Sequence, residues 1–181
     1  MELDSPRLRL RHWRREDREP LATINAEPSV LRYLPPVTRI ASDAMLDRVE
    51  AHFARHGWSY WAIEERESAK LIGFCGLMHV PWNAFFTPAV EISWRLSTVW
   101  QGRGLAREAA EQVLAAAFGT LGLKRVVSFT VAANAASWGL MERLGMVGIG
   151  EFDNPALPPG HPLRRNVVYE ILAPTAPTNG A

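Results

Sequence analysis

The sequence predicts an α/β fold of the α+β kind, and three observations point to it. Helix-period and strand-period runs alternate along the chain, a strand-like run leads into a glycine-containing turn, and that turn opens an amphipathic helix. The chain has 181 residues, 48% of them hydrophobic, which suits one domain with a substantial core. A formal net charge of +1 gives no reason to expect nucleic acid or an anionic membrane as a partner. No apolar run approaches the roughly 18 residues that a membrane span needs. Met1-Glu2-Leu3-Asp4 lacks the basic-then-apolar layout of a secretory signal. The single cysteine excludes an intramolecular disulfide framework. A cytoplasmic location is the resulting expectation.

The elements follow in order. Leu8 to Trp13 alternates as a short strand, and Arg14 to Asp17 turns into a first helix through Leu21 and Ile24. A short helical piece is expected around Ser29 to Tyr33, stopped by Pro35-Pro36. Ser42 or Asp43 is the expected cap of a helix that buries Leu46, Val49 and Phe53 and ends at Gly57. Trp58 to Glu64 and Lys70 to Leu77 read as a strand pair across a charged turn. In the run Ala89 to Leu96, Val90, Ile92, Trp94 and Leu96 share one face, and Glu91, Ser93 and Arg95 the other. A helix follows to Phe118, with Leu105, Ala106, Ala109, Ala110, Val113, Leu114 and Ala117 on its apolar stripe. Arg125 to Val131 is the next strand, and Ala135 to Leu144 a short helix closed by Gly145. Val147 to Phe152 and Val167 to Leu172 complete the strands. The domain is thus expected over residues 1–172, followed by a Pro/Thr/Gly-rich tail over 173–181 expected to be disordered.

Between the strand and the helix lies Gln101-Gly102-Arg103-Gly104-Leu105-Ala106. A glycine turn at a helix start leaves several backbone N–H groups unpaired and pointing the same way, and the helix dipole favours an anion there. The segment is neither GxxxxGK[ST] nor a GxGxxG after the first strand of a βαβ unit. From the glycines alone, a phosphate cradle and a plain structural turn stand on equal terms.

Gln101-x-x-Gly104-x-Ala106 resembles the (Gln/Arg)-x-x-Gly-x-(Gly/Ala) element of the GCN5-related N-acetyltransferase (GNAT) family. Val90 to Leu96 with Trp100 resembles the RimJ/RimL-like branch, which acetylates the N-termini of ribosomal proteins. A second family-like segment is Asn134-Ala135-Ala136-Ser137 followed by Met141-Glu142-Arg143-Leu144-Gly145-Met146, with Arg143 for lysine and Met146 for phenylalanine. The resemblance spans about residues 7–172. It implies a central, twisted, mostly antiparallel mixed sheet of about seven strands with helices on both faces. It also implies a V-shaped splay between strands 4 and 5, often with a bulge in the former. It further implies acetyl-CoA as co-substrate, with no metal. The pyrophosphate would lie on Gln101, Gly102, Arg103, Gly104, Leu105 and Ala106, and the pantetheine arm along the main chain of Trp94, Arg95 and Leu96. Asn134 would contact the cofactor, beside its role as N-cap of the following helix. Ser137 would donate to the departing thiolate, or else be a small buried hydroxyl bonded back to a carbonyl.

Acetyl transfer needs a neutral amine. An α-amino group, with a pKa of about 7.7–8.0, loses its proton at neutral pH for roughly 1 kcal/mol, whereas a lysine at about 10.4 costs about 4.6 kcal/mol. One carboxylate and water can serve the first case. Glu91 is the candidate base, because it alternates away from Val90 and Ile92 on the cleft strand. The alternative is a structural pairing with Arg95 on the same face. Acceptor choice is assigned to Met78 to Pro88 and Asp153 to Asn166, where Trp82, Phe85 and Phe86 either line a pocket or cover the sheet. Family relatives often carry a histidine where Asn166 stands.

Other residues read as structural. Cys75 is expected to be a buried hydrophobe. The five histidines show no metal pattern, although His52 and His56 share an i, i+4 face, and a third ligand is not visible. The arginines at 7, 9, 11, 14, 15 and 18, interrupted by Glu16, Asp17 and Glu19, read as a solvated surface. The expected protein is an acetyl-CoA-dependent N-acetyltransferase, monomeric or homodimeric, acting on a protein N-terminal or small-molecule amine by direct attack. A non-catalytic acyl-CoA-binding or regulatory module, an antibiotic- or polyamine-modifying enzyme of the same fold, and an unrelated phosphate-binding protein are the alternatives.

Overall fold

The computed structural model describes residues 1–174, so the tail from residue 175 lies outside the described residues. The strands are β1 (Leu3–Asp4), β2 (Leu8–Arg11), β3 (Tyr60–Glu65), β4 (Lys70–His79), β5 (Val90–Leu96), β6 (Arg125–Val131), β7 (Val147–Asp153) and β8 (Arg165–Leu172). They form one sheet of eight strands in the order β1-β2-β3-β4-β5-β6-β8-β7. All neighbours are antiparallel except β5 and β6. The strand beyond the expected seven is β1, a two-residue edge piece laid on β2.

The helices are α1 (Arg18–Asn25), α2 (Pro28–Leu31), α3 (Arg39–His56), α4 (Leu105–Ala115) and α5 (Ala135–Arg143). Strand alternation separates two faces. On one, Ile92, Leu96 and Leu77 pack against Leu105, Ala109, Ala110 and Val113 of α4. On the other, Phe74 packs against Leu21 of α1 and Leu46 and Val49 of α3. Each Leu, Ile, Val or Phe among them withdrawn from water contributes about 1.5–3 kcal/mol, so the two stripes fix the three helices on the sheet.

Several expectations need correction. The cap of α3 is Thr38, whose hydroxyl accepts from the Ala41 amide at 3.1 Å, so the helix begins earlier than Ser42 or Asp43. Ser42 is instead buried and accepts a hydrogen bond from Asn25 Nδ2 at 2.8 Å. The helix expected to reach Phe118 closes as α4 at Ala115 and continues in a π turn over Ala116–Thr120. Nor is the basic N-terminal stretch all solvated surface. Arg11 is 3% exposed, with its guanidinium on Asp17 (2.7 and 2.9 Å) and Glu64 (2.7 Å). A buried guanidinium needs such partners, and two carboxylates from different elements supply them. Cys75 is fully buried as expected, and burial pushes its thiol well up.

Candidate active site

The site begins where the sheet opens. β5 pairs with β4 without interruption from Val90 to Leu96. With β6 it shares a single register position, Glu91 opposite Val127. Beyond that point the two parallel strands separate, while β6 stays fully paired to β8 on its other side. The bulges of the sheet lie at Ile63/Glu64 and Gly148/Gly150, not in β5. The facing edges of β5 and β6 are therefore main chain with unsatisfied hydrogen-bonding capacity, which in a cleft calls for a partner.

Both strands end at the mouth of this splay. After β5 comes a 3-10 turn, Thr98–Trp100, and then the hexapeptide. Gly102 (φ 73°) and Gly104 (φ 77°) take left-handed backbone, and Gly104 stands at the N-cap of α4. The first turn closes with Glu108 N–H on the Gly104 carbonyl at 3.0 Å. The amides of Leu105, Ala106 and Arg107 thus have no acceptor within the helix. Residues 101–104 are exposed, and a Cβ at Gly102 would meet nothing within 4 Å. Two side chains set the loop's shape. Gln101 Nε2 donates to the Leu96 carbonyl at 2.8 Å, and Arg103 lies over the Trp100 ring at 5.0 Å. The N-terminal segment braces the same turn: Glu108 accepts from Ser5 Oγ (2.8 Å), Arg7 N–H (2.9 Å) and Arg7 Nε (2.6 Å). An anion can be held here by amides, the helix dipole and Arg103.

On the other side of the mouth, β6 leads into Asn134 and α5. The Asn134 carbonyl accepts from Ser137 N–H at 3.0 Å, but its side chain does not cap. Nδ2 donates back to Thr130 Oγ1 at 3.0 Å, because the side chain turns toward the strand it has just left. Ser137 is only half-buried, so it is not the buried hydroxyl of the structural alternative.

Glu91 sits at the apex of the splay, on the face that also carries Ser93 and Arg95. Its side chain is partly buried, and burial raises its carboxyl from the ordinary 4.5 to about 8. The alternative pairing with Arg95 does not form among the described residues. Arg95 turns to Asn25 Oδ1 and lies over the Phe74 ring at 5.2 Å, where burial lowers it to about 10. Tyr60 of β3 joins this face and was not singled out from the sequence. Burial, then the charge of Glu91, raises its hydroxyl well above the ordinary range, against the lowering effect of the Ser93 hydroxyl bonded to it. Its signal lay in register: Tyr60 opposes Gly76, which opposes Ser93, and a Cβ at Gly76 would stand 2.5 Å from the Tyr60 Cα, so only glycine lets the strands lie this close.

The segment between β4 and β5 covers the β6 side of this face. Phe86 is 2% exposed among Val127, Phe152 and Val168, so it covers the sheet. Phe85 is 62% exposed, and Trp82 is half-buried on Phe129 with its indole N–H unpartnered among the described residues. Asn166 is buried and donates to the carbonyls of Leu163 (3.1 Å) and Arg164 (2.9 Å), closing the β7–β8 loop. Hollows of about 270 Å³ between α4, α5 and β8 and about 220 Å³ at His79, Pro88 and Arg125 lie away from the splay and carry none of these groups.

Residues 7–147 match the family model of the acetyltransferase (GNAT) domain. The chain belongs to the GNAT family. It is 24% identical over 175 residues to the uncharacterized N-acetyltransferase YnaD of Bacillus subtilis, covering 95% of this chain and 97% of that one. Among solved structures, an acetyltransferase from Agrobacterium tumefaciens superposes with a TM-score of 0.78 at 27% identity, covering 94% of each chain. The ribosomal-protein-S5-alanine acetyltransferase of Vibrio fischeri shares the fold, with a TM-score of 0.71 at 16% identity over 95% of this chain and 96% of that one. Among the described residues, no helix is long and apolar enough to cross a membrane.

Proposed function

We propose that this GNAT protein transfers the acetyl group of acetyl-CoA to a primary amine of low pKa, by direct attack within a ternary complex. The observation that carries this reading is the splay, with unpaired main chain on both edges, an amide cradle at its mouth and one carboxylate at its apex. The residues present fit acetyl-CoA. Amides of Gly102 to Ala106 with Arg103 would take the pyrophosphate, and the free edge of β5 at Trp94 to Leu96 the pantetheine amides. The Leu96 carbonyl is already held by Gln101, so it leaves that edge one acceptor short. Bound there, acetyl-CoA would supply an activated thioester.

The protein's own groups do the rest. The cradle and the β5 edge orient the donor, and a β5 amide donates to the carbonyl that gains charge. Glu91 accepts the amine proton, and Ser137 at the mouth donates to the leaving thiolate. Asn134, half-buried on the same side, contacts the cofactor. A base near 8 is matched to an α-ammonium of about 7.7–8.0, whereas a lysine at about 10.4 would give up its proton to it uphill by about 3 kcal/mol. That match favours an N-terminal or similar acceptor, as in the RimJ/RimL-like branch, with Trp82 and the exposed Phe85 beside its path. The reading places the protein in the cytoplasm.

The test is thiol release from acetyl-CoA with a panel of peptides bearing free N-termini, polyamines and aminoglycosides. Turnover with N-terminal amines above the others is expected. Acetyl-CoA binding without turnover on any amine would instead make it a regulatory acyl-CoA-binding module, and turnover confined to polyamines or aminoglycosides would assign a small-molecule acceptor.

A further inference from the structure

The structure brings a third histidine to His52 and His56, which corrects the expectation that no further ligand lies near them. His52 and His56 stand in the last turns of α3, and His79 ends β4. One ring nitrogen from each lies within 4.8 Å of the other two. We propose that His52, His56 and His79 bind a divalent first-row transition metal, of the zinc, cobalt or nickel type, clipping the end of α3 to the end of β4.

The geometry supports this beyond proximity. His52 Nδ1 bonds the Trp58 carbonyl at 2.7 Å, which assigns the proton to Nδ1 and leaves Nε2 unprotonated, where it accepts from the His79 backbone N–H at 3.4 Å. Metal-binding histidines are oriented by such an outer contact. The unprotonated Nε2 also faces His79 Nδ1 at 3.0 Å, a contact that a shared metal would replace. Ligand nitrogens of a tetrahedral site with bonds of about 2.05 Å stand about 3.3 Å apart, so ring rotations of small extent complete the set. The rings already cluster, with centroids 4.4 Å (His52–His56) and 4.6 Å (His56–His79) apart, over Trp58.

Three imidazoles without a carboxylate select borderline metals over calcium or magnesium. His56 and His79 are exposed, so water reaches the remaining positions. The metal would fix the root of the segment from Val80 to Ala89, which carries Trp82, Phe85 and Phe86.

The test is titration of the tag-free protein with Co²⁺, followed by its visible absorption, and with Zn²⁺ by calorimetry and thermal melting. One ion per chain is expected, with a zinc-dependent rise in Tm. His56→Ala and His79→Ala should each weaken binding by more than the about 10–100-fold typical of losing an outer contact, and the double variant should lose the Tm response. Both side chains are exposed, so circular dichroism of the variants should match the parent. Binding well below one ion per chain, or equal affinity and Tm response in the folded double variant, would overturn the proposal. Neither outcome bears on acetyl transfer.

Discussion

At Glu91, burial bears on stability and, under the proposed mechanism, on chemistry. Its carboxyl titrates near 8 in the fold against an ordinary 4.5, so between those values the folded chain holds a proton that the unfolded chain has lost. Stability from the neutral form is therefore complete below about pH 4.5 and declines as pH rises through about 8. Replacing it by glutamine removes this penalty. Urea denaturation of Glu91→Gln is expected to match the parent at about pH 4.5 and to show a higher midpoint at about pH 8.5. Equal midpoints at both would place the carboxylate in water. Arg11 makes the opposite case. Burial works against its charge, but the hydrogen bonds it donates to Asp17 and Glu64, with their negative charge, outweigh it and hold it protonated. Asp17→Ala leaves one partner and should cost about 3 kcal/mol in urea unfolding, at the low end for a broken buried pair. The charge of Arg11 was plain in the sequence. Its burial was not, because alternation from Leu8 and Leu10 pointed it outward, and the Asp17 turn folds back over it.

At the scale of elements, most strands and helices were legible because their apolar periods are clean. β6 matches its expected span, and β4, β7 and α5 fall within two residues of theirs. Ends were harder. The α3 start depends on Thr38, whose cap competes with equally plausible Ser42 and Asp43, and only the burial of Ser42 against Asn25 decides between them. Asn134 looked like a side-chain cap, yet Thr130 four residues back is a competing partner that spacing alone does not rank. The cradle carries a prediction of its own. Gly104→Ala puts a Cβ on left-handed backbone, costing about 1–2 kcal/mol, and pulls the first-turn amides out of line. Calorimetry should show weaker acetyl-CoA binding, by about tenfold, together with a lower Tm. Unchanged affinity would leave the turn a purely structural one.

For the molecule as a whole, the decisive feature is the opening between β5 and β6, and that was read through resemblance alone. Parallel pairing limited to Glu91 and Val127 is a contact between segments 36 residues apart, which no local period encodes. The same holds for His79, which meets His52 and His56 only because β4 runs back beside the end of α3. The proposed donor side was thus legible as a motif, and the proposed acceptor side only as two candidate loops. One of these proved to be partly core, with Phe86 under it. Under the proposed function, the turn at the mouth and the carboxylate at the apex act together. The direct measurement is the pH dependence of kcat/KM for thiol release with the best amine, in the parent and in Glu91→Gln. The expected parent profile rises to a plateau through an apparent pKa near 8, with the variant lower by about 10²-fold or more and its rising limb moved. Superposable profiles of equal height would contradict the account.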